Sequence, residues 1–436
     1  MSQPAFRTPQ GVPVFMEVSH TLPVVDVDVI VMRGSLLDPR GKEGLTRLTA
    51  RLMRRGPKGT SREVFDERLD ALGATLTISV GHESMRIQGS VIRRNLEPFL
   101  RQIAAVAKRP GLRQKDFVRL KRTAEAELIQ LRDHDGALAA RAFRKTLFGR
   151  HAYARPVSGT LASVGKVELA DVRAQHERLM RAPHLLIGMA GDVTPEDAER
   201  YVNASFSDLL GGSTRRPQAR EPRMKSGRHV VLVDKPKRTQ SQVYIGTLGL
   251  VVGDPERHAM IVGNTAFGGT FTARLMKEVR SKRGWSYGAY SKLGADRQRE
   301  AWSMWTHPGA DQLVDCVRLQ LSLYEKWLDK GLTGAEVKRA KRYLIKSHPF
   351  DLETAGKRLE PKLHGYKHGL PDDWFDDYPQ RVRALGRADV NDAVRGHLSR
   401  DDLSIAVLAT ATPELQDALR SSAGVRSLTV IPFDLL

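Results

Sequence analysis

The hydrophobic pattern of the first half of the chain predicts strands and helices in a definite order. Two segments of β-branched and apolar residues, Val12–Val18 and Val24–Met32, indicate strands. The Asp38-Pro39 pair ends the second of them, and leucines at helical spacing then predict a helix over Gly44–Arg55. A second helix begins after the capping residue Ser61.

The remainder of the first half continues as a strand pair, three long helices and a returning strand. The predicted strands are Ala74–Val80, Ser84–Val91 and His184–Ala190, and the predicted helices are Arg93–Ala107, Gln114–Leu131 and Ala137–Phe148.

The second half has the same order of elements. Val230–Val233 and Gln242–Leu248 indicate strands, and Asp254-Pro255 ends the second one. Two helical segments follow, then strands near Trp285–Leu293 and Ala301–Thr306. Long helices from about residue 311 to 395 and a strand at residues 403–408 complete the pattern.

Two short identities support an internal repeat. The pentapeptide Thr49-Ala-Arg-Leu-Met53 recurs as Thr272-Ala-Arg-Leu-Met276, an offset of 223 residues in a chain whose half-length is 218. The two Asp-Pro pairs are offset by 216 residues. We interpret both matches as equivalent positions of two homologous halves.

The chain therefore divides into two predicted domains of the α+β class. Residues 1–210 form the first domain, residues 211–227 are a Gly-, Pro-, Ser- and charge-rich linker, and residues 228–436 form the second. Each domain is expected to be a mostly antiparallel sheet covered on one face by helices.

Composition excludes several classes of protein. The chain has 436 residues, 41% of them hydrophobic, and a single cysteine, which rules out an intrachain disulfide framework and a cysteine-based zinc cluster. The longest apolar runs are the length of a strand, so no membrane span is expected. No signal peptide is visible at the start, and the sequence indicates a soluble protein of unknown compartment, either bacterial cytoplasm or periplasm.

The charge of +20 and pI near 10 are compatible with an acidic partner, an anionic lipid surface or a nucleic acid. The basic residues are dispersed as short groups such as Arg93-Arg94 and Arg215-Arg216. Zinc-finger spacing, RNA-binding aromatic clusters and a Walker loop are absent from the sequence. We therefore interpret the charge as a generic basic surface and expect no nucleic-acid partner.

Several segments together resemble the M16 (pitrilysin, insulinase or mitochondrial processing peptidase) zinc metallopeptidases, in their bacterial two-domain form. The segments that carry the resemblance are Thr8–Met16, Val27–Ser35, Gly268–Met276, Arg280–Gly288 and Gly369–Phe375. The resemblance extends over nearly the whole chain and implies the LuxS/MPP-like metallohydrolase fold in each domain.

In that family the first domain carries the motif His-x-x-Glu-His, in which two histidines bind zinc and the glutamate acts as general base. The matching helix here has Arg47 and Arg51 at the ligand positions and Ala50 at the position of the base. A guanidinium has no lone pair for a metal, so this chain is not expected to bind zinc there. The motif does not occur around any of the 13 histidines.

Glu127 lies about where the family places its third zinc ligand, although Glu125 competes for the position. One interpretation is a relict metal ligand. The interpretation we favour is a carboxylate that forms an ion pair with Arg47 or Arg51 through a bidentate contact.

The second domain retains what the resemblance identifies as a substrate-binding pair. The family uses an arginine and a tyrosine seven residues later to hold the substrate near the zinc of the other domain, and here these match Arg280 and Tyr287. Both side chains can donate hydrogen bonds to a developing oxyanion. The alternative is that the two are ordinary surface residues.

Two other groups of residues are weaker candidates. His364 and His368 have metal-ligand spacing, but Gly365 and Gly369 indicate a fraying helix end and a solvated pair. Cys316 is expected to be a small core residue.

The resemblance implies a non-catalytic subunit of a heterodimeric zinc peptidase. The expected partner is a homologous M16 chain with an intact His-x-x-Glu-His motif, which would hold the zinc, so no cofactor is expected in this chain. Arg280 and Tyr287 would act in trans on a peptide substrate. The alternatives are a purely structural subunit, like the core proteins of respiratory complexes, and a peptide-binding pseudopeptidase without a proteolytic role.

Overall fold

The computed structural model describes residues 3–212, 220–371, 374–375, 377–422 and 424–436. Two compact units make up the chain, and each is discontinuous in sequence. Unit 1 comprises residues 1–129, 156–218 and 349–376, and unit 2 comprises residues 130–155, 219–348 and 377–436. Each unit thus takes one segment from the opposite half of the chain.

In its described residues, unit 1 contains a six-stranded sheet and eight α-helices, and the elements are numbered along the whole chain. Its strands are β1 (Phe6–Arg7), β2 (Pro13–Val18), β3 (Val24–Val31), β4 (Thr75–Val80), β5 (Met85–Ile92) and β6 (Leu185–Gly191). Its helices are α1 (Leu45–Met53), α2 (Arg62–Ala71), α3 (Leu96–Lys108), α4 (Gln114–Gln130), α6 (Leu161–Gly165), α7 (Leu169–Leu179), α8 (Pro195–Phe206) and α13 (Ala355–His368).

The described part of unit 2 contains a second six-stranded sheet, a two-stranded ribbon and eight α-helices. Its strands are β7 (Arg228–Asp234), β8 (Gln242–Leu248), β9 (Leu250–Val251), β10 (Ala289–Leu293), β11 (Ala295–Asp296), β12 (Ala301–Thr306), β13 (Leu403–Ala409) and β14 (Val425–Pro432). Its helices are α5 (Asp135–Phe148), α9 (Arg257–Asn264), α10 (Arg274–Met276), α11 (Leu313–Lys330), α12 (Gly334–Asp351), α14 (Tyr378–Ala384), α15 (Arg387–His397) and α16 (Pro413–Ser422). Two π-helical turns, Thr265–Gly269 and Lys277–Ser281, follow α9 and α10.

Five strands of each sheet share a topology, whereas the edge strands β1 and β14 differ, since β1 pairs antiparallel with β2 and β14 pairs parallel with β7. Unit 1 has the order β1-β2-β6-β3-β5-β4, and unit 2 has the order β10-β12-β8-β13-β7-β14. The pairs β2·β6 and β7·β13 are parallel, and the next three pairs in each sheet are antiparallel. The predicted internal repeat and the predicted α+β class with mostly antiparallel sheets are therefore confirmed.

The pentapeptide match that suggested the repeat does not lie at equivalent positions. Thr49–Met53 ends α1, the first α-helix after β3. Thr272–Met276 instead runs into α10, the second helical segment of the other half. Five identical residues are too few to fix a register, and the Asp-Pro pairs, which follow β3 and β8, are the better marker.

Helices cover both faces of the unit 1 sheet, where one covered face was expected. Alternate residues of β3 point to opposite sides. Val25, Val27, Val29 and Val31 belong to the larger core. Ile30 belongs to a smaller cluster with Phe15 and Leu186, closed by Leu359 and Leu363 of α13. The sheet of unit 2 is contacted by α5, which packs on β13, β8 and β7.

Polar residues fix α13 on this face of unit 1. Arg86 of β5 donates to both carboxylate oxygens of Asp28 at 2.6 and 2.8 Å, and to Glu360 of α13 at 2.7 Å. Asp28 is 5% exposed, and burial raises the pKa of its carboxyl group against the opposing effect of Arg86. These ion pairs therefore fix the position of α13 on the sheet.

The predicted linker falls partly outside the described residues. Residues 213–219, which include Arg215 and Arg216, are not described, and the flanking residues 211–212 and 220–227 carry no helix or strand. Asp372 and Asp373 of the late motif also lie outside the described residues. Within the described ranges, no helix has the length and apolar character needed to cross a bilayer.

Candidate functional site

Helix α1 in unit 1 presents Arg47 and Arg51, which are predicted from the sequence to lie at the positions of the family's zinc ligands. The carboxylate of Asp38 accepts hydrogen bonds from the backbone N–H groups of Gly44 and Thr46, both at 2.9 Å, and so fixes the start of the helix. Arg47 and Arg51 are one helical turn apart, so their side chains leave the same face.

Both arginines bind one carboxylate. Arg51 makes a bidentate contact with Glu127 of α4, in which Nη1 lies 2.9 Å from Oε2 and Nη2 lies 2.8 Å from Oε1. Arg47 Nη2 lies 3.3 Å from the same Oε2 atom. The predicted pairing is confirmed, and Glu127, rather than Glu125, is the residue that forms it.

These residues border a cavity of about 600 Å³, which is also lined by β4 and by Val157 and Ser158. Ala50 faces the cavity with a methyl group that is 1% exposed and packs in the core. A zinc ion does not fit the three predicted ligand positions, because two of them hold guanidiniums, which carry positive charge and have no lone pair. A proton acceptor at the position of the general base is also missing, since Ala50 has none.

The second predicted site lies in unit 2, where Arg280 is held between two aromatic rings. Its guanidinium carbon lies 4.7 Å from the centre of the Phe271 ring and 4.2 Å from the centre of the Tyr287 ring. Tyr287 is 76% exposed and Phe271 is 58% exposed. In the described part of the chain, Arg280 forms no ion pair or side-chain hydrogen bond, so its N–H groups remain available to a ligand.

Backbone hydrogen bonds fix the segment that carries Arg280 and Tyr287. The N–H of Gly284 donates to the carbonyl of Arg280 at 2.9 Å, and the N–H of Trp285 donates to that of Val279 at 3.2 Å. The strand predicted from Trp285 starts only at Ala289, because the chain bends at Tyr287 just before it.

His307 holds this bend in place. The N–H of Gly288 donates to His307 Nε2 at 3.2 Å, and the N–H of His307 donates to Ser286 Oγ at 2.9 Å. Burial lowers the pKa of His307, which keeps Nε2 unprotonated and able to accept this bond near neutral pH.

The glycine of the π-helical turn lets it approach the edge strand β10 closely. A Cβ atom at Gly268 would lie 2.5 Å from Ser291 Oγ and 2.7 Å from the Ser291 backbone nitrogen. Asn264, just before the turn, accepts from Ser291 Oγ at 2.7 Å and from Trp302 Nε1 at 2.9 Å. The Gly-Gly of the sequence motif therefore has a packing role next to the Arg280 segment.

The structure brings the predicted residues together in two groups, one in each unit. Arg47, Ala50, Arg51 and Glu127 share one cavity in unit 1, and Arg280 and Tyr287 are in contact in unit 2. Their roles stay predictions. Sequence reasoning missed Phe271, although a large aromatic residue within the quoted Gly-Gly-Thr-Phe segment was a visible signal.

The structure also shows the surroundings of the two weaker candidates. Cys316 is fully buried, and burial raises the pKa of its thiol to about 11, so it is a core residue as expected. Helix α13 runs through Gly365 and ends at His368, with Gly369 in the left-handed conformation after it, so the helix end is not frayed at His364.

One further group in unit 2 has the side chains of a metal site. Among the described residues, Asp254, Glu256 and His397 place their ligand atoms within 4.8 Å of one another. His397 Nε2 already lies 2.9 Å from a Glu256 carboxylate oxygen, so a hydrogen bond accounts for the arrangement without an ion.

The chain matches known protein families and individual proteins in sequence. The family profile Insulinase (Peptidase family M16) matches residues 14–161, and the profile Peptidase M16 inactive domain matches residues 166–344. A protein named Uncharacterized zinc protease from Mycobacterium bovis is 30% identical over 300 residues, 67% of each chain. The Non-peptidase homolog YmxG from Helicobacter pylori is 23% identical over 399 residues, 91% of this chain and 92% of that one.

Solved structures share the fold. A Pseudomonas fluorescens structure described as a peptidase M16 inactive domain superposes with a TM-score of 0.87 at 24% identity, over 93% of this chain and 97% of that one. A Helicobacter pylori protease superposes with a TM-score of 0.85 at 17% identity, over 93% of this chain and 98% of that one. These likenesses support the two-unit architecture.

Proposed function

The chain belongs to peptidase family M16, and from that premise we propose that it is the non-catalytic subunit of a heterodimeric zinc peptidase. Its own residues at the positions of the zinc ligands are Arg47 and Arg51, whose guanidiniums are neutralised in part by Glu127. Hydrolysis by the family chemistry then requires a second M16 chain with an intact His-x-x-Glu-His motif. The name of the Helicobacter pylori homologue, a non-peptidase, is in keeping with this proposal.

The proposal rests on the surroundings of Arg280. Its guanidinium carbon lies 4.7 and 4.2 Å from the centres of two exposed rings, while the described residues leave its N–H groups without an acceptor. A buried structural arginine would be expected to have a carboxylate or carbonyl partner, as Arg51 has. An oriented and unpaired guanidinium beside an exposed tyrosine hydroxyl is suited to bind a carbonyl oxygen of a peptide.

In this proposal the chain binds and orients the substrate. Arg280 and the hydroxyl of Tyr287 donate hydrogen bonds to a substrate carbonyl, and these bonds become stronger as negative charge develops on the oxygen. The hydrogen bonds of the segment 284–288 keep the two donors in fixed positions, so little ordering is needed when the peptide binds.

The test is reconstitution with a zinc-bearing M16 chain, for which the neighbouring reading frame is the first place to look. Cleavage of an unstructured fluorogenic peptide is measured for each chain alone and for the mixture. Neither chain alone should cleave, and the mixture should. Arg280→Ala and Tyr287→Phe should each lower kcat by about 10²–10³-fold, the usual effect of removing one oxyanion donor.

Controls separate a role in substrate binding from a structural one. Arg342→Ala, which removes an exposed arginine of unit 2, should leave kcat unchanged. Zinc content and subunit association should be the same for all variants. If the complex forms but both site variants cleave normally, the purely structural alternative replaces this proposal; cleavage by the isolated chain would refute it outright.

A further inference from the structure

Unit 2 contains a cavity that the proposed function does not use. Its volume is about 550 Å³, within the usual range for small-molecule sites. The two π-helical turns line one side, and helices α11 and α12 line the other. Irregular π-helical turns inside helices are frequent at functional sites. Neither Arg280 nor Tyr287 borders this cavity.

The charged residues of the lining leave an excess of positive charge. Both of its carboxylates are already engaged: Arg274 binds Glu336 at 2.8 and 2.9 Å, and Arg283 binds Glu278 at 3.0 Å. The other three charged groups of the lining are cationic.

These three groups are Lys277, Lys326 and Arg339. In the part of the chain that the structure describes, none of them has an ion-pair or side-chain hydrogen-bond partner. They come from three different elements, the turn Lys277–Ser281, α11 and α12, yet border the same space. A ligand with negative charge would therefore meet three uncompensated cations at once.

The remaining lining adds an apolar surface and hydroxyl donors. Leu319 and Leu323 of α11 and Ala340 of α12 form apolar wall, and Leu323 and Ala340 are nearly completely buried. Thr270 and Thr272, which carry hydroxyl groups, also line the cavity. Ammonium, guanidinium and hydroxyl groups together match the acceptor oxygens of a phosphate or carboxylate.

We propose that this cavity binds a small organic anion, with its phosphate or carboxylate at Lys277, Lys326 and Arg339 and its apolar part on Leu319, Leu323 and Ala340. The site would exist whether or not the chain assists a peptidase, so its test is independent of the peptidase assay.

Isothermal titration of the full chain with three matched probes tests the proposal. Phenyl phosphate and benzoate each join an anion to an aromatic ring, and benzyl alcohol keeps the ring without the charge. One or both anions should bind at one site per chain, and the tighter of the two identifies the head group. Benzyl alcohol should bind at least tenfold more weakly, and added salt should weaken the binding of the anions.

Substitutions of residues inside and outside the cavity test where the anion binds. Lys326→Gln and Arg339→Gln should each weaken anion binding by about fivefold, as expected for the loss of one partly exposed charged contact. The matched controls, Lys330→Gln on α11 and Lys338→Gln on α12, remove exposed charges of the same helices that do not border the cavity, and should change affinity less than twofold. All four positions are exposed, so folding should be retained.

Three outcomes would overturn the proposal. These are no binding of either anion, equal binding of benzyl alcohol, and equal weakening by the cavity variants and the control variants. The last of these would indicate attraction to the overall positive charge of the chain rather than a site.

Discussion

The sharpest prediction is that two substitutions give this chain a zinc site. Arg47→His together with Arg51→His places two imidazoles one turn apart on α1. Both arginines now reach the same carboxylate, at 3.3 Å from Arg47 and at 2.8 and 2.9 Å from Arg51. Side chains at these positions therefore converge on Glu127, which would complete a set of three ligands with one open position.

The expected change in stability follows from the ion pair that is lost and the zinc binding that is gained. The side chain of Arg51 is 24% exposed and that of Glu127 is 37% exposed, so loss of their pair should lower the free energy of unfolding by about 1 kcal/mol. Zinc at 100 times its Kd would add about 2.7 kcal/mol. For a unit of this size that corresponds to a zinc-dependent rise in Tm of roughly 5–10 °C.

Ala50 should be left unchanged in this experiment. Its methyl group is 1% exposed and packs among core residues, so Ala50→Glu would bury a carboxylate at a cost of several kcal/mol, of order 3. Keeping Ala50 makes the experiment a test of metal binding alone, without an added loss of stability.

Competition with a chromophoric zinc indicator and thermal melts with and without zinc give the readout. His397→Ala is included in all proteins so that the Asp254, Glu256 and His397 group adds no background. Adding Glu127→Gln should abolish the gain, and adding Glu125→Gln should not. The reasoning is refuted if the double variant binds zinc no better than its parent, or if Glu125 turns out to be the required carboxylate.

Three further predictions rest on single residues. Phe271→Ala should lower kcat of a reconstituted complex by about fivefold, because one of the two rings that hold Arg280 is lost, and Phe271→Tyr should restore it; an unchanged kcat would contradict this. Burial and the nearby Arg381 and Arg257 lower the pKa of His258 to about 4, so the unfolded chain binds an extra proton between pH 6.5 and about 4. The contribution of His258 to the free energy of unfolding should be complete above pH 6.5 and fall by an amount on the order of 3 kcal/mol towards pH 4. Denaturant titrations should find no such loss in His258→Gln. Cys316, fully buried and with its thiol pKa raised to about 11, should react with a thiol reagent at pH 8 only after denaturation, and rapid labelling of the native chain would contradict its burial.

The order of strands and helices was largely predictable because hydrophobic spacing reports local structure. The strand Gln242–Leu248 was predicted with its observed bounds, and the predicted cap Ser61 accepts the hydrogen bond from Val64. The strand β14 was missed, since its residues are mostly exposed and give no apolar alternation. Its position comes from parallel pairing with β7, a contact between residues about 200 positions apart.

The candidate sites were predictable as residue types and not as geometry. The substitution of arginines at positions 47 and 51 was visible in the sequence, whereas their convergence on Glu127 depends on the packing of α4. The second covered face of the unit 1 sheet had a sequence signal as well. Every residue of β6 is buried, which is typical of a strand packed on both sides, but nothing local identified α13 as the covering helix.

The exchange of helices between the halves of the sequence bears on how the chain responds to cutting. If the polypeptide is nicked between residues 211 and 227, the fragment that starts with the first residue lacks α13, and Phe15, Ile30 and Leu186 lose their cover. The other fragment lacks α5 and uncovers β13. We therefore expect a nicked chain to migrate as one particle in a native gel, and either fragment expressed by itself to aggregate. The repeat implies a gene duplication, and each half of the duplicated chain now supplies a helix that the other half needs.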